Sequence, residues 1–160
     1  MKEIALTQGY VALVDDEDYG WVSQWKWCAL VKPHTVYATR RSARRGGKQT
    51  SIYMHRVLLG AAPGMQTDHI NGDGLDNRRE NIRQCSAQEN QRNSRSHVGS
   101  SIYKGVHWHK LGRKWQAYIK VDGRQRHLGY FSVEAVAAAA YKLAAALHFG
   151  TFAAGARGDR

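Results

Sequence analysis

The stretch MQTDHINGDGLDNRRENIRQCSAQENQRN, Met65 to Asn93, constrains the fold more than any other part of the chain. Asp68-His69 ends a short run with strand character, Asn71-Gly72-Asp73-Gly74 is turn chemistry, and Asn81 to Cys85 alternates as a second strand. Ser86-Ala87-Gln88-Glu89 has the spacing of a capping box, in which the serine hydroxyl and the glutamate carboxylate each take a backbone N–H at a helix start. The predicted order is strand, loop, strand, helix. Asn90 falls in the first turns of that helix, and Asn93 follows on the same face.

Short alternating pieces precede this segment: Glu3 to Leu6, Tyr10 to Val14, Trp27 to Leu30, Val36 to Thr39 and Thr50 to Met54 read as small strands. The acidic run Asp15 to Asp18 predicts a short capped helix, and His55 to Gly60 a helical turn closed by glycine. Beyond the segment, Tyr103 to Trp108, Lys114 to Val121 and Gln125 to Phe131 read as three strands, the last two joined by an Asp122-Gly123 hairpin turn. Ser132 is expected to cap a helix to about His148, with Val133, Val136, Ala137, Ala140, Tyr141, Ala144 and Leu147 on its packing face. The fold class expected is α+β. Its parts are an N-terminal β-rich segment (1–54), a small ββα core (55–96), a linker (97–101), a three-stranded antiparallel sheet plus one helix (102–155), and a frayed tail (156–160).

The net charge of +11 points to a polyanionic partner, and its distribution sharpens that reading. Residues 1–54 carry 8 Lys/Arg against 5 Asp/Glu, 55–93 carry 5 against 5, and 94–160 carry 11 against 3. The neutral middle holds Asp68, His69, Asp73, Asp76, Asn77, Asn81 and Asn90, the oxygen and nitrogen groups a metal site uses. Basic arms around a metal-capable centre suggest a nuclease. Arg40, Arg41, Arg44, Arg45 and Lys48 crowd one glycine-containing loop, expected to be a mobile hairpin tip that meets phosphate. No apolar run long enough to cross a bilayer is expected, and a soluble, cytoplasmic protein with no membrane partner follows. Cys28 and Cys85 have no Cys-x-x-Cys partner and are expected as buried small hydrophobes. The sequence Asp68-His69-Ile70 excludes a calcium loop of EF-hand type, which needs an oxygen ligand two residues after its first.

Hydrolysing a phosphodiester takes an activated water, charge neutralisation at the scissile phosphate, and help for the leaving 3′ oxygen. Asp68-His69, Asn81 twelve residues on and Asn90 nine further resemble the HNH pattern of phage and intron-encoded homing endonucleases, in the variant whose last position is Asn. The resemblance covers about 40 residues, including the HING-GLDNRREN-R turn and the AQENQRN helix start. It implies that His69 is the general base and that Asp68 and Asn90 ligate the metal, with Asn81 holding the loop that aims His69. An asparagine at the last position favours Mg²⁺ or Mn²⁺ over zinc. His55 is a candidate for orienting a phosphate, and Asn93 for contacting DNA. The resemblance also implies the bacterial host cell of a phage or mobile element as the setting.

The run YKGVHW, then KWQAYI, then HLGYF and an alanine-rich helix resembles the APETALA/ethylene-responsive-factor DNA-binding domain of plants. That resemblance implies a sheet lying in the major groove, with Lys104, His107, His109, Tyr118, Lys120, Gln125 and His127 facing duplex DNA. Several of these stand where the family usually has arginine, so a different base preference is expected. The expected function is metal-dependent cleavage of double-stranded DNA, with nicking as the expected mode and the oligomeric state open between monomer and dimer. The alternative is a sequence-specific DNA-binding regulator with an inactive nuclease core; an RNA reader fits less well, for want of the paired aromatic motifs such sheets use.

Overall fold

The structure, a computed structural model, describes residues 1–44, 46–93 and 100–153. Arg45, most of the expected linker and the expected tail lie outside the described residues. The chain divides into two compact units, Met1–Asn90 and Gln91–Arg160.

In the first unit, β1 (Lys2–Ala5) and β2 (Val11–Val14) form an antiparallel pair, and α1 (Asp16–Val22) follows. The acidic first turn of α1 suits the positive end of the helix dipole. Asp15 stands at the N-cap position without a side-chain cap bond. Next come β3 (Cys28–Lys32), β4 (Thr35–Arg41) and β5 (Ser51–Tyr53), an antiparallel three-stranded sheet with β4 central, and then α2 (Met54–Leu58). β6 (Gln66–His69) pairs antiparallel with β7 (Ile82–Cys85), and α3 (Ala87–Asn93) follows. The capping box forms: the Ser86 N–H donates to Glu89 Oε2 at 2.8 Å, and the Glu89 N–H to Ser86 Oγ at 3.2 Å.

One core holds this unit together. Ile4, Ala12, Val14, Val22, Trp27 and Ala38 from the N-terminal segment pack with Met54, Leu58 and Ile82. The first 54 residues therefore bury the same apolar surface as the segment they precede, and neither has a separate core. Cys85 is buried as expected, but Cys28 is exposed, because it stands in β3, whose side chains are exposed or only half-covered.

In the second unit, β8 (Val106–His109), β9 (Lys114–Val121) and β10 (Arg124–Phe131) form an antiparallel sheet with β9 central. Asp122 and Gly123, with φ of 50° and 78°, make the β9–β10 turn, whose left-handed backbone matches the strand twist. α4 (Glu134–Phe149) packs on one sheet face through Ala137, Ala138, Tyr141, Ala145 and Phe149, against Val106, Ala117, Ile119 and Val121. This face differs from the expected one: Val133, Val136 and Leu147 are exposed. The reason is close approach, since alanines let the helix lie on the strands where branched side chains would hold it off. Val133, not Ser132, is the N-cap, and it makes no side-chain cap bond. α4 ends within a residue of the expected His148; with the 3-10 turn that follows it, Glu134–Phe152 has the length and composition to cross a membrane, at a mean hydropathy of 1.2, against the expectation of no such run, yet its alanine face is covered by the sheet.

Candidate active site

The loop between β6 and β7 is polar, and it is held by its own side chains. Asn81 Oδ1 accepts from the Asn71 N–H at 3.0 Å, while Asn81 Nδ2 donates to Asn71 Oδ1 at 3.0 Å and to the Asp76 carbonyl at 2.8 Å. Arg78 grips both Asp76 oxygens at 2.8 Å, and this pairing holds the Asp76 carboxyl below its ordinary range. Asn81 thus closes the loop by satisfying groups that its burial would otherwise leave unpaired.

The N-terminal segment clamps the same loop from outside. Leu13 exchanges backbone bonds with Leu75 and Asn77 at 2.8 and 2.9 Å. Arg79 donates its N–H to Asp15 Oδ2 at 2.7 Å, and its guanidinium forks onto the buried Asp18 at 2.7 and 2.8 Å. Gly74 lies so close to β4 that a Cβ there would meet the Val36 carbonyl oxygen at 2.5 Å and Thr35 Oγ1 at 2.9 Å. Glycine at this position answers a close approach, not a left-handed turn.

This scaffold fixes His69, which is buried with its Nε2 3.3 Å from Asn77 Oδ1. Asn77 is fully buried, and its Nδ2 donates to the Leu75 carbonyl at 3.0 Å. An amide whose nitrogen is committed to a carbonyl must present its oxygen to the imidazole. His69 Nε2 therefore carries the proton, and Nδ1 carries the lone pair. Burial lowers the His69 pKa, opposed by the Asn77 bond and by Asp68, Asp73 and Asp76. The ring is a neutral base at pH 7.

Asp68 is buried opposite Arg83 in the strand register, and Arg83 Nε and Nη2 reach its Oδ2 at 2.9 and 2.7 Å. Asn90 Nδ2 donates to Gln66 Oε1 at 2.7 Å, which ties the start of α3 to β6. Gln66 and Asp68, two residues apart, share a strand face. Two hard oxygen donors, the Asp68 carboxylate and the Asn90 amide oxygen, thus stand on adjoining elements and fit a hard divalent cation. Among the described residues there is no cluster of three or more His, Cys, Asp or Glu side chains that could hold a metal. His55 is buried against His69, with ring centroids 4.7 Å apart.

The other candidates are spread over both units. Arg40 lies in β4, its guanidinium stacked over Trp25 and Trp27 at 4.7 and 5.6 Å from the ring centroids. Arg41, Arg44 and Lys48 are exposed, and Arg45 is outside the described residues. Asn93 ends α3, half-buried. On the sheet face opposite α4, the register lines up His107 and His109 of β8, Tyr118 and Lys120 of β9, and Gln125 and His127 of β10. Tyr130 joins them, forming a ring ladder in which successive centroids from His109 through Tyr130 and His127 to Tyr118 are 5.3, 4.6 and 4.8 Å apart. Lys104 is half-buried, its Nζ donating to the Gln91 and Arg92 carbonyls at 2.8 and 2.9 Å, and burial lowers its pKa to about 8.

Sequence reasoning missed Asn77 as the partner of His69, Arg83 as the partner of Asp68, and Tyr130 on the sheet face. Arg83 was legible in part, since two antiparallel strands joined by one loop bring Asp68 and Arg83 opposite each other once the register is known. Asn77 had no such signal, because its role depends on which way a loop amide points.

No curated protein and no solved structure matches the chain. Residues 53–92, which span α2, β6, the polar loop, β7 and most of α3, match the model of the HNH endonuclease family, and the chain accordingly carries a nuclease, a phosphodiester hydrolase that acts on DNA.

Proposed function

We propose that the first unit is a divalent-metal-dependent endonuclease centre that hydrolyses phosphodiester bonds of double-stranded DNA, in the manner of a free-standing homing nuclease. The observation that carries this reading is the Asn77–His69 bond, which leaves the Nδ1 lone pair of a neutral, buried imidazole as the base. Water is deprotonated by His69 Nδ1 as its oxygen bonds to phosphorus, and the bond from phosphorus to the 3′ oxygen breaks. Asp68 and Asn90 hold the cation, Mg²⁺ or Mn²⁺. When bound, it supplies positive charge at the phosphate and the leaving oxygen. Arg78–Asp76 and Asn81 keep the loop from relaxing, so that His69 stays aimed. One such centre cuts one strand at a time, so the first product is a nick.

The exposed Arg41, Arg44 and Lys48, together with the outer sheet face of the second unit, are the DNA-contacting surfaces in this reading. The face offers Lys120, Gln125, His127 and Tyr118 where an arginine-rich sheet would fork onto guanine, so its base preference is its own.

One observation favours a second reading, a DNA-binding regulator with an inert core: Arg83 already occupies an oxygen of Asp68 and competes with a cation for it. The two are separated by incubating supercoiled plasmid with Mg²⁺, Mn²⁺ or EDTA, for the parent and for His69→Ala. The nuclease reading expects open-circle product only with metal and intact His69, with DNA affinity unchanged within a few-fold. Tight binding without cutting across metals selects the regulator.

A further inference from the structure

The wall behind His69 is made of rings. His55 of α2 meets His69 edge to face, and Tyr53 and Tyr37 stand with their ring centroids 5.5 and 5.7 Å from that of His55. His55 is 5% exposed, and its Nδ1 is sealed without a hydrogen-bond partner among the described residues. Among the described residues the other sealed side-chain atom of this kind is Arg40 Nε, and that guanidinium is stacked on two tryptophans. His55 is likewise packed among rings, and its Nδ1 has no hydrogen-bond partner among the described residues. Buried polar groups are nearly always bonded, and those that are not tend to meet a ligand or serve function.

A sealed N–H without an acceptor is harder to tolerate than a sealed lone pair. The proton therefore sits on Nε2, and what exposure the residue has lies away from Nδ1. Burial, with smaller contributions from His69 and Arg56, holds the His55 pKa down to about 3, so at pH 7 the ring is an uncharged donor. Beside it the Tyr37 hydroxyl stays protonated, because burial raises its pKa. Two rings that carry neutral donors thus pack against the ring of the base.

We propose that His55 is a further catalytic residue of the phosphodiester hydrolysis, its Nε2–H donating to a non-bridging oxygen of the scissile phosphate beside His69, with the Tyr37 hydroxyl as the adjoining donor. This rests on the reading of His69 as the base. No proton leaves His55: the water proton goes to His69, the bond to the 3′ oxygen breaks, and the His55 hydrogen bond tightens as charge builds on the non-bridging oxygen.

The test uses the full chain and a duplex carrying the cleavage site mapped on plasmid. In EDTA, with histidine labelled by ¹⁵N, adding this duplex is expected to shift the His55 N–H and slow its exchange; a His55 signal unmoved while DNA binds overturns the proposal. This arm needs binding only, so if no site is cut it is run on the plasmid fragment that the protein binds most tightly. With metal, single-turnover rates are compared for oxygen and for each phosphorothioate diastereomer, in the parent, His55→Phe and His55→Gln. The proposal expects His55→Phe to slow the oxygen substrate on the order of 100- to 1,000-fold and to erase the parent's sensitivity to sulfur at one diastereomer, with His55→Gln recovering part of the rate. An equal sulfur effect in parent and His55→Phe assigns the ring a packing role and overturns the proposal. Loss of cutting in His69→Ala, measured alongside, tests the base separately.

Discussion

Replacing Asn77 by leucine isolates the group that chooses which nitrogen of His69 is the base. Leucine keeps the branched shape of asparagine but is the larger side chain, so at this fully buried position overpacking costs about 1–3 kcal/mol of stability of its own, which a thermal melt of the variant reads separately. The Leu75 carbonyl that loses Asn77 Nδ2 still accepts from the Leu13 N–H at 2.8 Å, so that group keeps a partner. The backbone bond from the Asn77 N–H to the Leu13 carbonyl at 2.9 Å also survives. What disappears is the acceptor 3.3 Å from His69 Nε2. Removing one side of a buried hydrogen bond costs about 1–3 kcal/mol. If that energy is lost from the aimed tautomer, the cleavage step slows by about 5- to 150-fold, at 1.36 kcal/mol per tenfold. Choosing between tautomers alone could account for only about a factor of two, because a neutral imidazole without a partner populates both forms. The larger part must come from ring rotation. The assay is single-turnover nicking at saturating DNA, with affinity measured in EDTA. A folded Asn77→Leu protein that cuts within about twofold of the parent refutes the argument that this bond aims the His69 ring.

Arg79→Leu strips the cation from Asp18, a carboxylate only 3% exposed. Arg79 itself is half exposed, so the loss is discounted to about 1–3 kcal/mol, and for a unit of this size the melting temperature should fall by about 5–15 °C. A melting point unchanged within about 2 °C would show that the clamp adds no stability. Gly105→Ala should unfold the second unit, because the residue has φ +73° and its Cβ would drive into the Tyr141 ring and the Tyr118 carbonyl; a native circular dichroism spectrum and melt for the variant would contradict that geometry. Lys120→Ala should lower the slope of log affinity against log salt by about 0.9 if its ammonium neutralises one phosphate, and an unchanged slope removes Lys120 from the interface.

Much of this protein is determined locally and can be read from the chain. The capping box at Ser86, the two-residue Asp122-Gly123 turn and the alternation in β6, β7 and β9 each depend on neighbours a few residues away, where backbone chemistry leaves few choices. The placing of Asp68 and His69 on a strand end, Asn81 after the loop and Asn90 in a helix start was legible for the same reason, because that spacing is local. Tertiary structure alone decided the rest. That Leu13, Asp15 and Asp18 grip the loop 74–79, and that Tyr37 stands with His55 behind His69, depends on contacts across tens of residues, which no local pattern encodes. The packing face of α4 was misjudged by periodicity because Val133, Val136 and Leu147 are as apolar as the alanines. The sheet selects the face that lets the helix come close, so side-chain size decided where hydrophobicity could not.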